Sequence, residues 1–446
     1  MIQDSFHLIS LGCAKNMVDS EVILGCLEQE GYSLIEEMKQ AEFLLINTCG
    51  FLQSAVEEGI EEILELVQLK EEDPRKKVIV IGCMVQRYQE KLAEELPEID
   101  LFVGTEGVAR LGVLLSEMKA GGLVSKLSLP PRNLMNHATP RHIATPPFRA
   151  WLKITEGCDN RCSYCMIPHI RGPLRSRSIE DFVLEARQLE AGGVRELSLI
   201  AQDITAFGRD QNNGDTLVKL LEQLLRGTSL PWIRLLYLYP SGITEDLLML
   251  MKREGRILPY LDLPIQHVSD NMLKGMNRQY NAATLRSVIG SIRYHLPEGA
   301  IRTTFLVGFP GETEEDLLEL ERFMQEYRLD HVGVFAYENE EGCAAEFLQN
   351  QIEEEEKKAR RERIMAVQAD ISATIIQKYV GRIEPVLVEG ISTETDLLLE
   401  GRSRYQAPDV DGVVYINEGV ATPGYISMVE ITEAHTYDLV GRIVSS

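Results

Sequence analysis

The sequence predicts an α/β protein with an N-terminal parallel-sheet α/β domain, a partial (β/α)6 barrel and a small C-terminal antiparallel β-barrel. Two series of apolar runs, one before residue 120 and one after residue 149, alternate with amphipathic segments, as in parallel sheets covered by helices. After residue 379 the pattern changes to strand-like segments separated by Gly, Pro and Asp, which is typical of a small β-barrel.

The first part covers residues 1–120, and three of its predicted strands end at a cysteine. The predicted strands span 6–12, 43–48, 78–82 and, more briefly, 101–104. The cysteines that end the first three strands are Cys13, Cys49 and Cys83. Because the carboxyl ends of parallel strands lie at one edge of a sheet, we expect these thiols to converge, with a neighbouring glycine in each case allowing close approach. The alternative is three buried cysteines acting as small apolar side chains.

Residues 121–148 are rich in proline and polar residues without periodicity, which predicts a linker. Residues 149–378 follow with six predicted strands and a trailing helix over 351–378. The strands span 151–155, 196–201, 234–239, 260–263, 302–307 and 331–336. Six strands rather than eight indicate a partial barrel, whose sites are expected at the carboxyl ends of its strands. Residues 379–446 form the predicted C-terminal barrel.

The most specific chemical pattern is Cys158-x3-Cys162-x2-Cys165, which follows the first predicted barrel strand. Three thiolates leave one iron of a 4Fe-4S cluster without a protein ligand, so the spacing suits a cluster that binds a further molecule. A structural zinc site is the alternative, but it needs four ligands, and the nearest imidazole, His169, brings no second pair. A non-catalytic electron carrier usually saturates its irons with four cysteines.

Composition and charge narrow the compartment and the partners. The chain is 44% hydrophobic and 26% charged, which is ordinary for a soluble globular protein. The sequence has no apolar run of the roughly 20 residues that span a bilayer and no signal-peptide pattern, which predicts a cytoplasmic protein with reduced thiols and no membrane partner. The net charge of −24 disfavours a polyanionic partner such as tRNA and favours a basic protein.

With Tyr164 before its last cysteine, the second cysteine group resembles the signature of the radical S-adenosylmethionine (SAM) superfamily. The chain as a whole resembles the methylthiotransferases, with an N-terminal methylthiotransferase domain, a radical SAM barrel and a C-terminal TRAM domain. The resemblance implies two 4Fe-4S clusters, one on each cysteine group, and SAM as both radical source and methyl donor. It also implies an external electron donor and transfer of a CH3-S group to an unactivated C–H bond.

Two segments separate the branches of this family. LGCAKNMVDSE around Cys13 and GRSRYQAPDVDGVVYI near the C-terminus are similar to the branch that modifies the β-carbon of an aspartate in the twelfth protein of the small ribosomal subunit. The alternative branch, which methylthiolates isopentenyladenosine in tRNA, typically carries a GCQMN-type sequence at the first segment. Residues 379–446 contain four Arg and no Lys against eleven Asp and Glu, and an acidic module suits a basic protein better than RNA. One departure from similar enzymes is AYENEEGCAAEFL, where Glu338 and Cys343 replace the usual Ser and Thr.

SAM is expected to lie across the carboxyl edge of the barrel, beside the second cysteine group. Residues at the strand ends are the candidate contacts: Tyr164 by its backbone, Gln202, Asp203, Gln266, His267, Arg302 and Gly308. The alternative for each is a structural hydrogen bond or a turn at a strand end. Beyond the six cluster cysteines, the sequence predicts no catalytic residue with certainty.

Overall fold

The structure is a computed structural model that describes residues 2–121, 126–127, 130 and 134–444. Within these residues the chain forms two six-stranded parallel sheets, a two-stranded sheet and a closed five-stranded barrel. The predicted fold class is therefore confirmed. Part of the predicted linker over 121–148 lies outside the described residues. None of the helices in the described part is both long and apolar enough to cross a membrane.

The N-terminal sheet has the strand order β2-β1-β3-β4-β5-β6, and every paired strand in it is parallel. Its strands and helices are β1 (Ser5–Ser10), α1 (Ala14–Gln29), β2 (Ser33–Leu34), β3 (Phe43–Thr48), α2 (Gln53–Glu72), β4 (Lys77–Gly82), α3 (Cys83–Glu95), β5 (Leu101–Val103), α4 (Leu111–Lys119) and β6 (Lys126–Leu127). Alternate side chains of β3 pack against α1 and α4 on one face and against α2 and α3 on the other. Burial on both faces explains why this strand is a continuous apolar run in the sequence.

The central sheet follows chain order, β7-β10-β11-β12-β13-β14, and is parallel throughout. Its elements are β7 (Arg149–Lys153), β8 (Thr155–Glu156), α5 (Ile167–Arg171), β9 (Arg175–Ser176), α6 (Ile179–Ala191), β10 (Glu196–Ile200), α7 (Leu217–Gly227), β11 (Trp232–Leu235), α8 (Glu245–Arg253), β12 (Ile257–Asp262), α9 (Asp270–Gly275), α10 (Ala282–His295), β13 (Ala300–Val307), α11 (Glu314–Tyr327), β14 (His331–Ala336) and α12 (Glu354–Ile375). Strands β8 and β9 pair separately, antiparallel to each other. Sequential parallel strands with intervening helices are the architecture of a partial (β/α)6 barrel.

Helix starts in the central part are set by local capping. Five helices begin after a Ser, Thr or Asn whose side chain accepts a hydrogen bond from the backbone N–H three residues later. These capping residues are Ser178, Thr216, Thr244, Asn281 and Thr313.

The described part of the linker packs between the two sheets. Nη2 of Arg141 donates to Glu21 of α1 at 2.6 Å, and its Nη1 donates to Glu185 of α6 at 2.7 Å. All three side chains are buried. The linker therefore fastens the N-terminal sheet to the central one instead of lying loosely over the surface.

The C-terminal barrel consists of β15 (Ile383–Ile391), β16 (Leu399–Ser403), β17 (Val414–Glu418), β18 (Ile426–Ala434) and β19 (Leu439–Ile443), closed in the order β15-β16-β17-β19-β18. Four of its strand pairs are antiparallel, as predicted, but β17 and β19 run parallel. The reason is geometric, because an odd number of strands cannot alternate in direction around a closed barrel.

Two strand boundaries differ from the predictions for conformational reasons. The strand expected over 234–239 is Trp232–Leu235. The apolar run continues beyond Leu235, but the strand does not, because Tyr237 adopts a φ of 61°, which is incompatible with an extended strand. The strand expected over 6–12 ends at Ser10, and Gly12, with a φ of 94°, turns the chain toward Cys13.

Candidate functional site

The first cysteine group lies at the carboxyl edge of the N-terminal sheet. Cys13, Cys49 and Cys83 follow β1, β3 and β4, which are neighbours in that sheet. Glycines let the three loops touch: a β-carbon at Gly12 would lie 3.1 Å from Cβ of Cys49, and one at Gly50 would lie 2.7 Å from the backbone of Cys83. The structure thus brings together three thiols that are far apart in the sequence.

The thiols of this group differ in acidity. Cys13 is exposed yet surrounded by protein, as in a recess. Desolvation would raise its pKa, but the Lys15 ammonium and the Asn16 backbone N–H outweigh that effect and lower the pKa. Burial, together with negative charge on Cys13, raises the pKa of Cys83 to about 12 in spite of the nearby Arg171 guanidinium. Three thiolates that repel one another form a site that a bound iron cation stabilises.

The second group, Cys158, Cys162 and Cys165, occupies the loop between β8 and α5. The backbone N–H of Cys165 donates to the carbonyl of Cys162 at 3.2 Å, and that of Cys158 donates to the carbonyl of Gly172 at 3.1 Å. Burial raises the pKa of Cys158 to about 11. The pKa of Cys165 is also raised, by burial and then by charge on Cys162. These turns bring the three thiols close enough for charge on one to raise the pKa of another.

Arg278 is a functional candidate that the sequence predictions missed. Its Nη1 lies 3.3 Å from Sγ of Cys162 and 3.3 Å from Oη of Tyr164. The guanidinium lies 4.4 Å from the ring centroid of Tyr239, and Nη2 donates to the carbonyl of Pro264 at 2.8 Å. The structure thus places a guanidinium cation directly beside the second cysteine group. A single arginine in a loop has no spacing that distinguishes it in the sequence, although it lies in the same segment as Gln266 and His267.

Among the predicted SAM contacts, Gln202 has a side-chain oxygen that lacks a hydrogen-bond partner in the described part of the chain, and Gln266 lies at the same edge of the central sheet. Gln202 lies just beyond β10, and its Oε1 is buried without a hydrogen-bond partner among the described residues. Gln266 lies beyond β12 with a φ of 75°, and its backbone pairs with β13 through Thr304 and Leu306. Both amides therefore lie at the carboxyl edge where a ligand can satisfy them.

Asp203 and Arg302 are already engaged within the protein. Asp203 accepts a hydrogen bond from Nδ2 of Asn160 at 2.7 Å and caps the following turn through the Thr205 N–H at 2.9 Å. Arg302 pairs with Asp262 at 3.0 Å between its Nη1 and Oδ1. These contacts favour structural roles over the predicted SAM binding.

His267 and Gly308 are also tied into the fold. Nδ1 of His267 accepts from the backbone N–H groups of the next two residues at 2.9 and 3.1 Å, and its Nε2 lies 3.2 Å from Oε1 of Glu312. The N–H of Gly308 donates to Oε2 of Glu312 at 2.8 Å, and a β-carbon there would lie 2.4 Å from the side chain of Lys357. Gly308 therefore permits α12 to pack closely, and glycine also accommodates the positive φ at this position, so the fold alone accounts for the residue.

The segment AYENEEGCAAEFL, which departs from similar enzymes, connects the central part to the N-terminal part through hydrogen bonds. Glu338 accepts a hydrogen bond from the hydroxyl of Ser54 at 3.0 Å. Glu340 accepts from Nη1 of Arg87 at 2.7 Å, and both side chains of this pair are buried. Cys343 is buried against Met166 and its neighbours. The substitution of Ser by Glu338 thus supplies a contact between the two parts.

The donor set of both groups fits an iron–sulfur cluster. Each offers three thiols that interact electrostatically, and each has an arginine beside one of them: Arg171 at Cys83 and Arg278 at Cys162. Among the described residues no three Cys, His, Asp or Glu side chains lie close enough to hold a single metal ion. A four-iron cluster is larger than one ion and takes thiols that are further apart.

Three family models match the chain: the Uncharacterized protein family UPF0004 over residues 5–104, the Radical SAM superfamily over residues 152–324 and the TRAM domain over residues 380–444. A ribosomal protein uS12 methylthiotransferase RimO from Desulfotalea psychrophila is 56% identical over 99% of this chain and 99% of its own. Another, from Syntrophotalea carbinolica, is 46% identical over 98% of this chain and 96% of its own.

Two solved structures share the fold at low sequence identity. The radical SAM methyltransferase TsrM from Kitasatospora setae has a TM-score of 0.56 at 15% identity and covers 74% of this chain and 73% of its own. The cobalamin-dependent radical SAM enzyme OxsB has a TM-score of 0.54 at 12% identity and covers 82% of this chain and 56% of its own.

The central sheet with its three-cysteine loop defines a radical SAM enzyme, and that class implies SAM and a 4Fe-4S cluster. The addition of a second cysteine-bearing sheet and a TRAM barrel narrows the class to a methylthiotransferase. The chain belongs to the RimO family of ribosomal protein uS12 methylthiotransferases.

Proposed function

We propose that this protein transfers a methylthio group to the β-carbon of an aspartate in ribosomal protein uS12, the twelfth protein of the small subunit. The observation that carries the proposal is a contact between the segments that carry the two cysteine groups. Arg171 follows the second group in the chain, and its Nη2 lies 3.1 Å from Sγ of Cys83 in the first group. Similarity over nearly the full length to relatives named for this reaction supports the choice of substrate.

We propose that the group Cys158, Cys162 and Cys165 holds one 4Fe-4S cluster and that the group Cys13, Cys49 and Cys83 holds a second. When bound, the cluster on Cys158, Cys162 and Cys165, together with SAM, supplies the species that removes a hydrogen atom. The cluster on the other cysteine group supplies the methylthio group. The chain's own task is to hold both groups at one shared edge, since group transfer requires near-contact geometry. An external electron donor is required by this chemistry.

The proposed division of labour follows the domain pattern of the sequence. Residues 1–120 carry the cluster of the first cysteine group, and the linker over 121–148 joins the two sheets. Residues 149–378 carry the other cluster and bind SAM, and residues 379–446 form the TRAM module. For SAM we propose Gln202 and Gln266, at the carboxyl ends of β10 and β12, as the first contacts. Oε1 of Gln202 is buried without a hydrogen-bond partner among the described residues. Tyr164, beside Cys165, offers its backbone.

The surface charge supports a basic protein over tRNA as the substrate. Arginines after the second cysteine group are neutralised inside the protein: Arg177 lies 2.7 Å from Asp181 and 2.6 Å from Glu185, and Arg171 lies 2.7 Å from Asp19. Residues 379–446, with four Arg against eleven acidic residues, oppose a phosphate backbone. A strongly basic ribosomal protein complements this surface.

The test is anaerobic reconstitution with iron and sulfide, followed by incubation with SAM, a reductant and either purified uS12 or unmodified tRNA. Mass spectrometry should show one added CH2S unit on an aspartate of uS12 and none on tRNA. The control is the variant in which Cys158, Cys162 and Cys165 are all replaced by Ala, which should modify neither. A gain on tRNA adenosine would overturn the substrate, and SAM cleavage with neither molecule modified would contradict both substrates.

A further inference from the structure

Lys15 is a buried ammonium where the two sheets meet, and no carboxylate of the described residues pairs with it. It lies in the first turn of α1, two residues after Cys13, and is 9% exposed. Within the described residues it forms no ion pair, and its Nζ lies 3.2 Å from the ring centroid of Tyr237, just beyond β11 of the central sheet. Lys15 thus extends from the N-terminal sheet to the edge of the other sheet.

The other buried lysines of the described residues all have oxygen acceptors. Nζ of Lys76 donates to three backbone carbonyls at 2.7 to 3.2 Å. Lys153 pairs with Asp19 at 2.6 Å, and Lys357 pairs with Glu354 at 2.5 Å. Lys15 has instead the ring of Tyr237, the charge of Cys13 and the more distant Asp262. Because Cys13 is bound to iron in the proposed function, the buried ammonium can take a further ligand.

The surroundings of Lys15 indicate that this ligand is an anion. Asp262 acts on Lys15 without pairing with it, because its carboxylate accepts from Nη1 of Arg302 at 3.0 Å and from the backbone N–H of Tyr237 at 3.0 Å. A lysine in the first turn of a helix opposes the helix dipole, so local helix stability does not account for it. The φ of 61° at Tyr237 is unusual for a non-glycine residue, and such strain occurs where a side chain is held for a ligand.

We propose that Lys15 binds the side-chain carboxylate of the target aspartate and thereby makes the enzyme specific for an acidic residue. This inference rests on the proposed function. The reacting β-carbon is bonded directly to the carboxyl carbon, so a carboxylate held at Lys15 brings the β-carbon beside Cys13. Tyr237 supports the ammonium through the face of its ring. An adenosine has no carboxylate and gains nothing from this contact.

The test is a double-mutant cycle that measures binding rather than turnover. Mass spectrometry first identifies the modified aspartate of uS12. The Asp form and an Asn form of uS12 are then titrated onto reconstituted wild-type protein and onto Lys15→Met, with SAM but without reductant. We expect the wild type to bind the Asp form about tenfold more tightly, as for a charge-assisted hydrogen bond, and Lys15→Met to bind both forms alike. Lys15→Arg keeps the charge and should keep a preference for Asp.

Several outcomes would overturn the inference. One is equal affinity of the wild-type protein for the two forms of uS12, a comparison that does not depend on any variant folding. Another is a tenfold preference that survives in Lys15→Met, and a changed electron paramagnetic resonance spectrum in that variant would then assign Lys15 to the cluster. If uS12 is modified but the wild-type protein binds its Asp and Asn forms equally, this inference is refuted and the proposed function stands. If no aspartate is modified, the proposed function fails as well.

Discussion

The guanidinium of Arg171, which belongs to the central part, contacts two elements of the N-terminal part: its Nη2 lies 3.1 Å from Sγ of Cys83 and its Nη1 lies 2.7 Å from Oδ2 of Asp19. Arg171 ends α5, shortly after Cys165, whereas Asp19 lies on α1, shortly after Cys13. Burial alone would raise the pKa of Asp19, but the charges of Arg171 and Lys153 lower it. A buried charge network therefore fixes one cysteine group relative to the other.

Arg171→Gln should both destabilise the fold and weaken the first cysteine group. It removes the cation beside Cys83 and one of the partners of buried Asp19, so we expect the unfolding free energy of the cluster-free protein to fall by about 3–5 kcal/mol. Iron after reconstitution should drop from about eight per chain toward about four, because only the second group keeps its arginine. Denaturant titration and an iron assay measure both effects. Arg171→Lys is the matched control and should lose less, and unchanged iron in Arg171→Gln would contradict the prediction.

Gly50→Ala should separate the loops of the first cysteine group. The added methyl would lie 2.7 Å from the backbone of Cys83, so one loop must move. We expect a lower melting temperature and selective loss of iron from this group, seen by iron assay and electron paramagnetic resonance. The matched control is Gly290→Ala in α10, where nothing lies within 4 Å of the added atom. That variant should be neutral or slightly stabilised, by about 0.5–1 kcal/mol. Equal iron contents in the two variants would argue against the close approach of the loops.

Some features could be predicted from the sequence because they depend on local patterns. Strand β3 was predicted as 43–48 and is Phe43–Thr48, because a strand buried on both faces is a continuous apolar run. The convergence of Cys13, Cys49 and Cys83 could be predicted because strand order in a parallel sheet places carboxyl ends together.

Other features depend on contacts between residues that are distant in the chain. The approach of Arg278 to Cys162 joins positions over a hundred residues apart, and no spacing rule signals it. His267 was predicted to bind SAM because it follows a strand, but only the structure shows that its Nδ1 accepts from two backbone N–H groups and that its Nε2 lies 3.2 Å from Oε1 of Glu312. The conformation of Tyr237 likewise depends on its packing against Lys15 and Asp262.

Gln202→Ala should weaken SAM binding by about tenfold, the loss expected when one hydrogen bond to a charged ligand is removed. The reason is that Oε1 of Gln202 is buried at the carboxyl edge without a partner among the described residues. Gln368→Ala is the matched control, because Oε1 of Gln368 is also buried without a partner there, but its Nε2 donates to Leu329, ahead of β14 at the opposite edge. Equilibrium dialysis of SAM against both reconstituted variants measures the difference. Equal dissociation constants would remove Gln202 from the proposed SAM contacts.

Glu196 of β10 fastens the C-terminal barrel to the central sheet. Its Oε2 lies 2.6 Å from Nη2 of Arg402 in β16, and its Oε1 lies 2.6 Å from Nε of Arg234 in β11. All three side chains are buried. Burial alone would raise the pKa of Glu196, but the charges of Arg402 and Arg234 outweigh it and lower the pKa to about 2.

This network predicts a specific loss of stability in acid. A carboxyl group whose pKa is lower in the folded state stabilises the fold above its unfolded pKa, roughly 4.3 for Glu, and loses that contribution as the pH falls toward the folded value. We therefore expect the melting temperature of the wild type to fall more steeply between about pH 4.3 and pH 2 than that of Glu196→Gln. At pH 7 the variant should be less stable by about 3–5 kcal/mol, because buried Arg234 loses its counter-charge and buried Arg402 keeps only Glu389. Glu298→Gln breaks a surface pair with Arg382 and should cost at most about 1 kcal/mol. Calorimetry across this pH range decides the matter, since parallel curves for the wild type and Glu196→Gln would show that Glu196 is not ionised in the folded protein.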